Sequence, residues 1–478
     1  MSLYQQLAEE TAGLIDAGTL RVGDRLPSVR QACRNHGISP VTVTQAYALL
    51  ESRGLIEARP KSGYFVRPRL GRQLPEPAMS QPLGGSTELQ VSDFIFQILD
   101  SVRDPTVVPL GSSFPSPYLF PLAKLGRFLA SAARSFDPLA TVTDLPPGNE
   151  ELRRQLALRY LAQGATMSPQ EIVITSGAME GLNLCLQAVT QPGDLIAVEA
   201  PTFYAGLQAS ERLGLKVIEI PSHPREGVSL TALAEALARH PVKACLFMLN
   251  FANPTGSLVT DENRKALLDL LYRHQVPLIE DDVYAELYFG GQAPLCSKAA
   301  DPDGLVMHVS SFAKCLAPGY RLGWVAAGRY ASQLQRLKLS TSLATTGPVQ
   351  IALADYLKHG AYDKHLRQLR RTLAAQESAL VAAVERHFPA GTRLARPQGG
   401  YFLWLELPPG VDSLLLHQQA LARGISIAPG PIFSAKREFA NYLRLNFGHP
   451  DSERQQQAMA ILGELIAAQL QQASVPIK

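Results

Sequence analysis

The apolar positions of the first seventy residues predict three short helices. The first helix has its apolar side chains on one face, at Leu3, Leu7, Leu14 and Ile15. Ser28 can cap the second helix, which ends near Gly37. Ser39 caps a third helix that begins at Pro40, where the missing proline N–H costs nothing, and that ends near Gly54.

Two short strands follow these helices. They cover residues 55–59 and 64–66, and the turn residues 60–63 lie between them. Three short helices followed by a hairpin predict a winged helix over residues 1–68, in which the third helix enters the major groove of DNA by its N-terminal end.

A different pattern begins near residue 105, where short apolar runs alternate with amphipathic helices. Buried parallel strands have this composition, so the pattern predicts an α/β domain with a parallel sheet. The runs cover residues 172–174, 195–198, 244–249, 277–279 and 305–309. We place the large subdomain at about 105–345 and a smaller C-terminal α+β subdomain at about 346–470.

Between the two patterns, residues 69–90 are rich in proline and glycine and poor in apolar residues, which predicts a flexible linker. Residues 91–99 form an apolar helix that we assign to the second domain, which then spans 91–478. The chain is therefore expected to be multidomain, consistent with its 478 residues.

The composition indicates the class of the protein and its expected location in the cell. Hydrophobic residues make up 46% of the chain and charged residues 18%, as in globular proteins. We expect neither a secretory signal nor a membrane span, and a cytoplasmic protein. The five cysteines are scattered, with no C-x-x-C pair and no set of histidines at the spacing of metal ligands, so no metal site is expected.

The positive charge is concentrated at the N-terminus. Residues 1–70 hold nine Lys and Arg against six Asp and Glu, whereas the remainder holds 36 of each. This excess favours an anionic partner for the first domain. Chance fluctuation over so few charges would explain it equally well without further motifs.

The first domain resembles the DNA-binding domain of the GntR superfamily over residues 2–68. The matching segments are L-P-S-V-R (26–30), H-G-I-S-P-V-T-V-T-Q-A-Y (36–47) and G-L-I-E-A-R-P-K-S-G-Y-F-V (54–66). The resemblance implies double-stranded operator DNA as a partner, contacted through Arg30, Ser39, Thr42, Thr44, Lys61 and Gly63. Pro40 stands where many relatives have arginine, and the hydroxyl groups can also serve only as helix caps.

In the second domain, four short motifs each follow a predicted strand. The segments are Thr175–Gly181, Asn253–Gly256, Glu280–Tyr284 and Ser310–Lys314. A strand-to-helix turn with a glycine can bind an anion, and active sites of parallel sheets lie at the strand carboxyl ends. Each motif alone is weak evidence, since caps and turns have similar sequences.

Taken together, these motifs resemble those of the fold type I aminotransferases, over about residues 105–470. The resemblance implies pyridoxal 5′-phosphate (PLP) as cofactor, with Lys314 as the catalytic residue that forms a Schiff base with it. It implies that Asp281 pairs with the pyridine nitrogen and that Phe203 stacks on the ring, although Tyr204 is adjacent. The other implied cofactor-binding residues are Ser176, Gly177, Ala178, Asn253, Tyr284, Ser311 and Arg321.

Two further positions bear on the ligand. Residues 442–448 alternate like a strand and resemble the family segment whose arginine binds a substrate carboxylate, which assigns that role to Arg444, with a structural ion pair as the alternative. Residues 399–404 match a strand of the smaller subdomain. Thr143 stands where many aminotransferases have a tyrosine that reaches the partner's cofactor phosphate, so phosphate retention is expected to be weaker.

A GntR-type winged helix fused to a fold type I domain is identified as the arrangement of the MocR subfamily. This resemblance implies a head-to-tail homodimer, associated with the nucleoid, whose operator binding responds to PLP or to an amino-compound effector bound through it. Two alternatives stay open: an active aminotransferase with an accessory DNA-binding domain, and a DNA-binding protein whose PLP is structural. The effector, the target genes and the sign of regulation are not determined by the sequence.

Overall fold

The chain folds into two compact units, Met1–Gln73 and Leu74–Lys478. The computed structural model describes residues 3–16, 19–20, 24–52, 54–59, 63–66, 74–100, 104, 106–140, 144–290, 292–359 and 361–473. Each unit has its own apolar core and is described separately below.

The first unit contains three helices and a hairpin, as the sequence predicted. The helices are α1 (Leu3–Asp16), α2 (Val29–His36) and α3 (Pro40–Ser52), and the antiparallel strands are β1 (Ile56–Arg59) and β2 (Gly63–Val66). The predicted apolar face of α1 was wrong in part, because Leu3 and Leu14 are 60% and 46% exposed. Ala8 and Ala12 pack in their place beside Leu7 and Ile15.

Capping residues set the ends of these helices. The Ser28 hydroxyl accepts a hydrogen bond from Gln31 N at 3.3 Å, and Gly37 ends α2 in the left-handed conformation with φ 64°. The Ser39 hydroxyl accepts from Thr42 N at 3.2 Å at the start of α3. The capping predictions at Ser28, Gly37 and Ser39 are therefore confirmed.

A nine-stranded sheet forms the centre of the second unit. Its strands are β3 (Thr87–Glu88), β4 (Ile172–Thr175), β5 (Leu195–Ala200), β6 (Lys216–His223), β7 (Gly227–Val228), β8 (Val242–Phe247), β9 (Leu278–Asp281), β10 (Val306–Ser311) and β11 (Gly323–Ala326). Their order is β3-β6-β5-β8-β9-β10-β11-β4, with β7 paired to β6. Neighbours from β6 to β10 are parallel, whereas β11 is antiparallel to both β10 and β4. All five predicted runs are strands of this sheet.

Helices cover both faces of the sheet, because alternate residues of each buried strand point to opposite sides. Val198 of β5 belongs to one core cluster, whereas Ala197 belongs to the other. The helices of this unit are α4 (Ser92–Asp100), α5 (Leu122–Arg134), α6 (Glu150–Ala162), α7 (Ala178–Val189), α8 (Tyr204–Arg212), α9 (Leu230–Arg239), α10 (Asp261–His274), α11 (Ala331–Thr341), α12 (Gly347–Lys358), α13 (Ala361–His387), α14 (Ser413–Leu421) and α15 (Glu453–Ala473).

A second, antiparallel sheet lies in the C-terminal part. It contains β12 (Arg393–Leu394), β13 (Phe402–Glu406), β14 (Ala428–Pro429) and β15 (Tyr442–Asn446), in the order β12-β13-β15-β14. Trp404 of β13 is directly opposite Arg444 of β15. The alternation that predicted a strand at 442–448 is confirmed, and that strand fixes the position of Arg444.

The predicted linker, residues 69–90, differs from the structure over residues 74–90, and residues 69–73 lie outside the described residues. Residues 74–90 belong to the second unit, where Ser80 N donates to Ser222 O at 3.1 Å and Leu394 N donates to Pro75 O at 2.9 Å. Proline-rich composition indicated an exposed connector, but backbone hydrogen bonds to distant strands fix this segment on the large unit. Among the described residues, no helix is both long enough and apolar enough to cross a bilayer.

Candidate functional site

The carboxyl ends of three strands bring the predicted motifs to one edge of the large sheet. Strands β4, β9 and β10 run in the same direction, since β11 is antiparallel to both of its neighbours and β9 is parallel to β10. The turn at Ser176 therefore lies at the same edge as Asp281 and the segment that leads to Lys314. Parallel sheets place their ligand sites at this edge.

Asp281 is a buried carboxylate at the end of β9. It is 3% exposed, and its Oδ1 has no hydrogen-bond partner among the described residues. Burial and the neighbouring charge of Asp282 raise its pKa to about 7, against the charges of Lys314 and His308. An unpartnered buried acceptor of this kind is suited to a ligand N–H or a cation.

Lys314 lies across the site from this carboxylate. Its Nζ donates to the carbonyl of Ser113 at 2.9 Å and lies 3.7 Å from the centre of the Phe114 ring. Burial, with the charges of Arg444 and Arg321, lowers its pKa to about 7, and Asp281 opposes the shift. The amine is therefore largely uncharged just above neutral pH, which is the form that attacks an aldehyde.

Arg444 is fully buried, with 0% exposure, on β15. Its Nη1 donates to Asn253 Oδ1 at 2.9 Å and its Nη2 to Gly111 O at 2.6 Å. Its Nε has no partner in the described part of the chain, and burial lowers its pKa. No carboxylate pairs with Arg444 in the hydrogen bonds and ion pairs of the described residues, so the structural ion pair considered as the alternative is absent there.

Asn253 and Tyr284 complete the wall beside Asp281. The Asn253 Nδ2 is buried without a described partner, although its Oδ1 accepts from Arg444. Tyr284 is buried and packs edge-on against the rings of Tyr401 and Phe402, with centroids 5.4 and 5.6 Å away. Burial raises the pKa of Tyr284, so its hydroxyl keeps its proton.

The turn before α7 forms an anion cradle. Gly177 has φ 88°, and a Cβ at this position would lie 2.8 Å from Arg321 Nη2. It occupies the cap position of α7 without any side-chain cap, so the helix N-terminus faces Arg321. The Ser176 N–H donates to Glu180 Oε2 at 2.5 Å, so this backbone donor already has a partner within the protein.

The remaining residues predicted to bind the cofactor are Ala178, Ser311 and Phe203. Ala178 is the first residue of α7, and the Ser311 hydroxyl accepts from Ala313 N at 3.4 Å. Phe203 is half-buried, with its ring 4.8 Å from that of Tyr204. The Tyr204 hydroxyl shares a 2.8 Å hydrogen bond with Ser113 Oγ, beside Arg444.

Three site residues were not predicted from the sequence: Ser113, Tyr204 as a polar contact, and Tyr401. Ser113 contacts Lys314 and Arg444, which are far away in the sequence, and its carbonyl also accepts from the Tyr401 hydroxyl at 3.0 Å. The segment that carries Ser113 follows no predicted strand, so only its contacts in the folded chain identify it.

A buried polar network supports the end of β9. The Nδ1 of His308 lies 2.6 Å from the Tyr160 hydroxyl, and its Nε2 lies 2.8 Å from Asp282 Oδ2. Among the described residues, Glu280, Cys296 and His308 offer ligand atoms within 4.8 Å of one another. Both ring nitrogens of His308 are hydrogen-bonded, so this cluster is arranged as a proton-sharing network rather than as a set of free metal ligands.

The predicted DNA contacts lie in the first unit. Arg30 is exposed on α2, whereas the hydroxyls of α3 have local partners. The Ser39 and Thr42 hydroxyls share a 2.8 Å hydrogen bond, and the Thr44 hydroxyl donates to Pro40 O at 2.8 Å. Gly63 begins β2 with φ 105°. Lys61, like Thr143, lies outside the described residues.

The donors and acceptors at the sheet edge fit PLP. Two buried polar atoms without described partners, Asp281 Oδ1 and Asn253 Nδ2, match the pyridine nitrogen and the ring hydroxyl oxygen of PLP. A third, Arg444 Nε, matches the carboxylate of an amino acid rather than a group of the cofactor. The Gly177 cradle with Arg321 matches a phosphate, and a weakly basic Lys314 matches an aldehyde.

Comparison with known proteins supports both units. Residues 3–66 match the bacterial regulatory proteins of the gntR family, and residues 130–461 match aminotransferase class I and II. The chain is 47% identical to the HTH-type transcriptional regulator YdcR of Escherichia coli, over 98% of this chain and 100% of that protein. It is 31% identical to aromatic-amino-acid aminotransferase 1 of Thermococcus litoralis, over 79% of this chain and 92% of that protein.

The fold comparison agrees with the sequence. The crystal structure of the multiple substrate aminotransferase from Thermococcus profundus aligns with a TM-score of 0.74 and 28% identity, covering 80% of this chain and 96% of that one. The α-aminoadipate aminotransferase LysN from Thermus thermophilus, whose structure holds a phosphopyridoxyl-leucine, aligns with a TM-score of 0.73, 28% identity and coverage of 80% and 97%.

Proposed function

The chain belongs to the MocR subfamily of GntR regulators, in which a DNA-binding unit precedes a PLP-dependent aminotransferase fold, and from this premise we propose that it is a transcriptional regulator whose operator binding is set by PLP or by an amino-compound effector. The convergence of Lys314, Asp281 and Arg444 on one sheet edge carries this proposal. That convergence gives the second unit the groups needed to bind a small amino compound.

We assign the cofactor contacts as follows. PLP supplies an aldehyde and an electron-withdrawing ring. Lys314 binds the aldehyde carbon, and Asp281 accepts a hydrogen bond from the ring nitrogen through its unpartnered Oδ1. The positive charge that Asp281 would then face lowers its pKa from about 7, which keeps the carboxylate ionised.

The other side chains orient the group. Asn253 Nδ2 and the Tyr284 hydroxyl donate to the ring oxygen, and Phe203 covers one ring face. Arg321, with the N–H groups that begin α7, binds the phosphate, and Ser176 and Ser311 contribute hydroxyls. Arg444 binds the effector's carboxylate.

Regulation requires that the effector prefer one arrangement of the DNA-binding units. We propose a head-to-tail homodimer that presents two winged helices to an operator at the nucleoid. Arg30 and Lys61 contact phosphates, whereas Ser39, Thr42, Thr44 and Gly63 lie at the groove. A ligand that binds both arrangements equally would leave DNA affinity unchanged.

The test combines absorption spectra with DNA binding. Wild type should show the near-visible band of a lysine Schiff base, and Lys314→Ala should lose it. Lys358→Ala, which removes an exposed lysine, should keep it. On a DNA fragment selected from a random library by wild type, amines that shift the band should change the affinity of wild type and not that of Lys314→Ala. Loss of the band with unaltered amine response would refute the proposal.

The second candidate is an active aminotransferase that carries an accessory DNA-binding unit. The complete set of lysine, aspartate, asparagine, tyrosine and arginine, and the 31% identity to an aminotransferase, favour it. It predicts many turnovers of an L-amino acid with 2-oxoglutarate or pyruvate. A single half-reaction per subunit would instead support the regulator.

A further inference from the structure

The segment Gly111–Phe114, here called the strap, crosses the two cationic side chains of the site. Arg444 Nη2 donates to the carbonyls of Gly111 and Ser112, at 2.6 and 3.2 Å. Lys314 Nζ donates to the carbonyl of Ser113 at 2.9 Å. Backbone oxygens of the strap therefore hold the same groups that we assign to the effector and to the cofactor.

The side chain of Ser113 adds the weakest of these contacts. Its hydroxyl lies 3.4 Å from Arg444 Nη2 and shares a 2.8 Å hydrogen bond with the Tyr204 hydroxyl. This pair places a second polar group beside the arginine. The longer Arg444 contact is the one that yields most easily to a competing acceptor.

Asn446 holds the strap on both sides of Ser113, whereas Ser113 itself contacts only side chains among the described residues. Asn446 Nδ2 donates to Ser112 O at 2.9 Å and to Phe114 O at 2.7 Å, while Asn446 N donates to Leu110 O. Ser113 has no backbone hydrogen bond to β15, and only side chains hold it among the described residues. Its displacement does not break the hydrogen bonds that Asn446 makes to Ser112 and Phe114.

The geometry of the Arg444 guanidinium makes the strap oxygens compete with a ligand carboxylate for Nη2. A carboxylate binds in a fork to two parallel N–H groups, either Nε with Nη2 or Nη1 with Nη2. Both forks use Nη2. The two N–H groups of Nη2 are directed to Gly111 O and to the Ser112–Ser113 pair of acceptors. A ligand carboxylate that binds in a fork must therefore take one of them from the strap, whereas Nε alone could bind only one carboxylate oxygen.

We propose that Ser113 sets the specificity of the site for carboxylates, because its hydroxyl competes with the ligand for Arg444 while Tyr204 holds it in place. This proposal rests on the proposed function, in which Arg444 binds an effector carboxylate. An amine without a carboxylate has no need of Nη2, so Ser113 affects it little. The strap thus lowers the affinity for amino acids selectively.

The experiment compares each proteinogenic amino acid with its decarboxylated amine, using the shift of the absorption band of the PLP-loaded full chain as readout. Ser113→Ala should tighten amino-acid binding by about two- to tenfold, the range of one net hydrogen bond, with the matching amine changed less than about twofold. Tyr204→Phe should also raise the ratio of the affinity for an amino acid to the affinity for its decarboxylated amine. Ser340→Ala, a serine on an exposed part of α11, should leave it unchanged.

A second measurement follows the strap itself. Amide hydrogen exchange over residues 108–118 should rise when a binding amino acid is added and stay constant with its decarboxylated amine. An unchanged or lower ratio in Ser113→Ala, or a panel in which no amino acid binds, overturns the proposal. The band of wild type, absent in Lys314→Ala, reports separately whether the PLP assignment stands.

Discussion

At the scale of single residues, burial adjusts the site groups toward neutral pH. Lys314 and Asp281 both have a pKa near 7, one lowered and the other raised, because removal from water disfavours the charged form of each. An ordinary lysine would be almost fully protonated at this pH. The cost of burying these groups is consistent with a site built to receive a charged ligand.

The lowered pKa predicts how PLP loading depends on pH. Lys314 is protonated below about pH 7 and free above it, so the rate of band formation should rise through about pH 7. Arg444→Gln removes a positive charge that lowers the pKa of Lys314, so the midpoint should move to higher pH. Stopped-flow absorbance measures it, with the exposed Arg423→Gln as control. A wild-type midpoint above about pH 9, close to that of an ordinary lysine, would contradict the assignment.

Gly177 allows a second prediction at this scale. Alanine there must adopt φ 88° and place its Cβ 2.8 Å from Arg321 Nη2. The backbone strain at φ 88° and ψ 169° costs about 1–3 kcal/mol, and displacement of Arg321 should weaken PLP binding by at least about tenfold. Gly164→Ala is the matched control, since φ is 82° there but nothing lies within 4 Å of the added Cβ. Equilibrium dialysis measures the PLP affinity of both variants. An equal loss of affinity in the two would exclude Gly177 from the phosphate site.

At the scale of elements, α3 combines a structural and a functional demand. Its first hydroxyl, on Ser39, accepts from Thr42 N and shares a hydrogen bond with the Thr42 side chain. These bonds satisfy a helix N-terminus that a winged helix directs toward DNA. The two demands on Ser39 can be separated by substitution.

Ser39→Ala should destabilise α3 by about 1 kcal/mol, because the cap is lost. Ser39→Asp restores a cap and suits the helix dipole, yet its charge repels DNA phosphates. We expect hydrogen exchange over residues 40–52 to recover in Ser39→Asp while DNA affinity stays at least about tenfold below that of wild type. Full DNA affinity in Ser39→Asp would remove Ser39 from the interface.

At the scale of the whole molecule, the proposed function requires that ligand binding in the second unit change DNA binding, and assembly into a dimer would provide this link. A homodimer would carry two winged helices, and two linked heads bind paired half-sites far more tightly than one head binds a single half-site. Each subunit of such a dimer would have its own strap beside its own ligand site. This arrangement would make the response to an amine depend on dimer geometry.

The dimer prediction has a direct measurement. Sedimentation equilibrium should give twice the mass of the chain. DNA with both half-sites, selected from a random library, should bind at least about a hundredfold more tightly than the same DNA with one half-site scrambled. A monomer with equal affinity for both fragments would contradict it, whatever the PLP content.

The sequence by itself determined much of the local structure and the motifs that the fold brings to one sheet edge. Caps at Ser28 and Ser39, the buried runs at the strands, and the motifs that contain Asp281 and Lys314 are local signals, because backbone hydrogen bonding and burial depend on neighbours in the chain. These signals predicted the winged helix, the parallel sheet and the edge at which the motifs meet.

Only the tertiary structure decided the rest. The attachment of residues 74–90, the strands β6 and β11 and the strap at Ser113 depend on partners far away in the sequence. The pKa of Lys314 likewise depends on the charges of Arg321 and Arg444, which the fold brings near it. Such contacts form when the chain collapses around its core, and no local pattern of residues encodes which distant carbonyl will meet a given side chain.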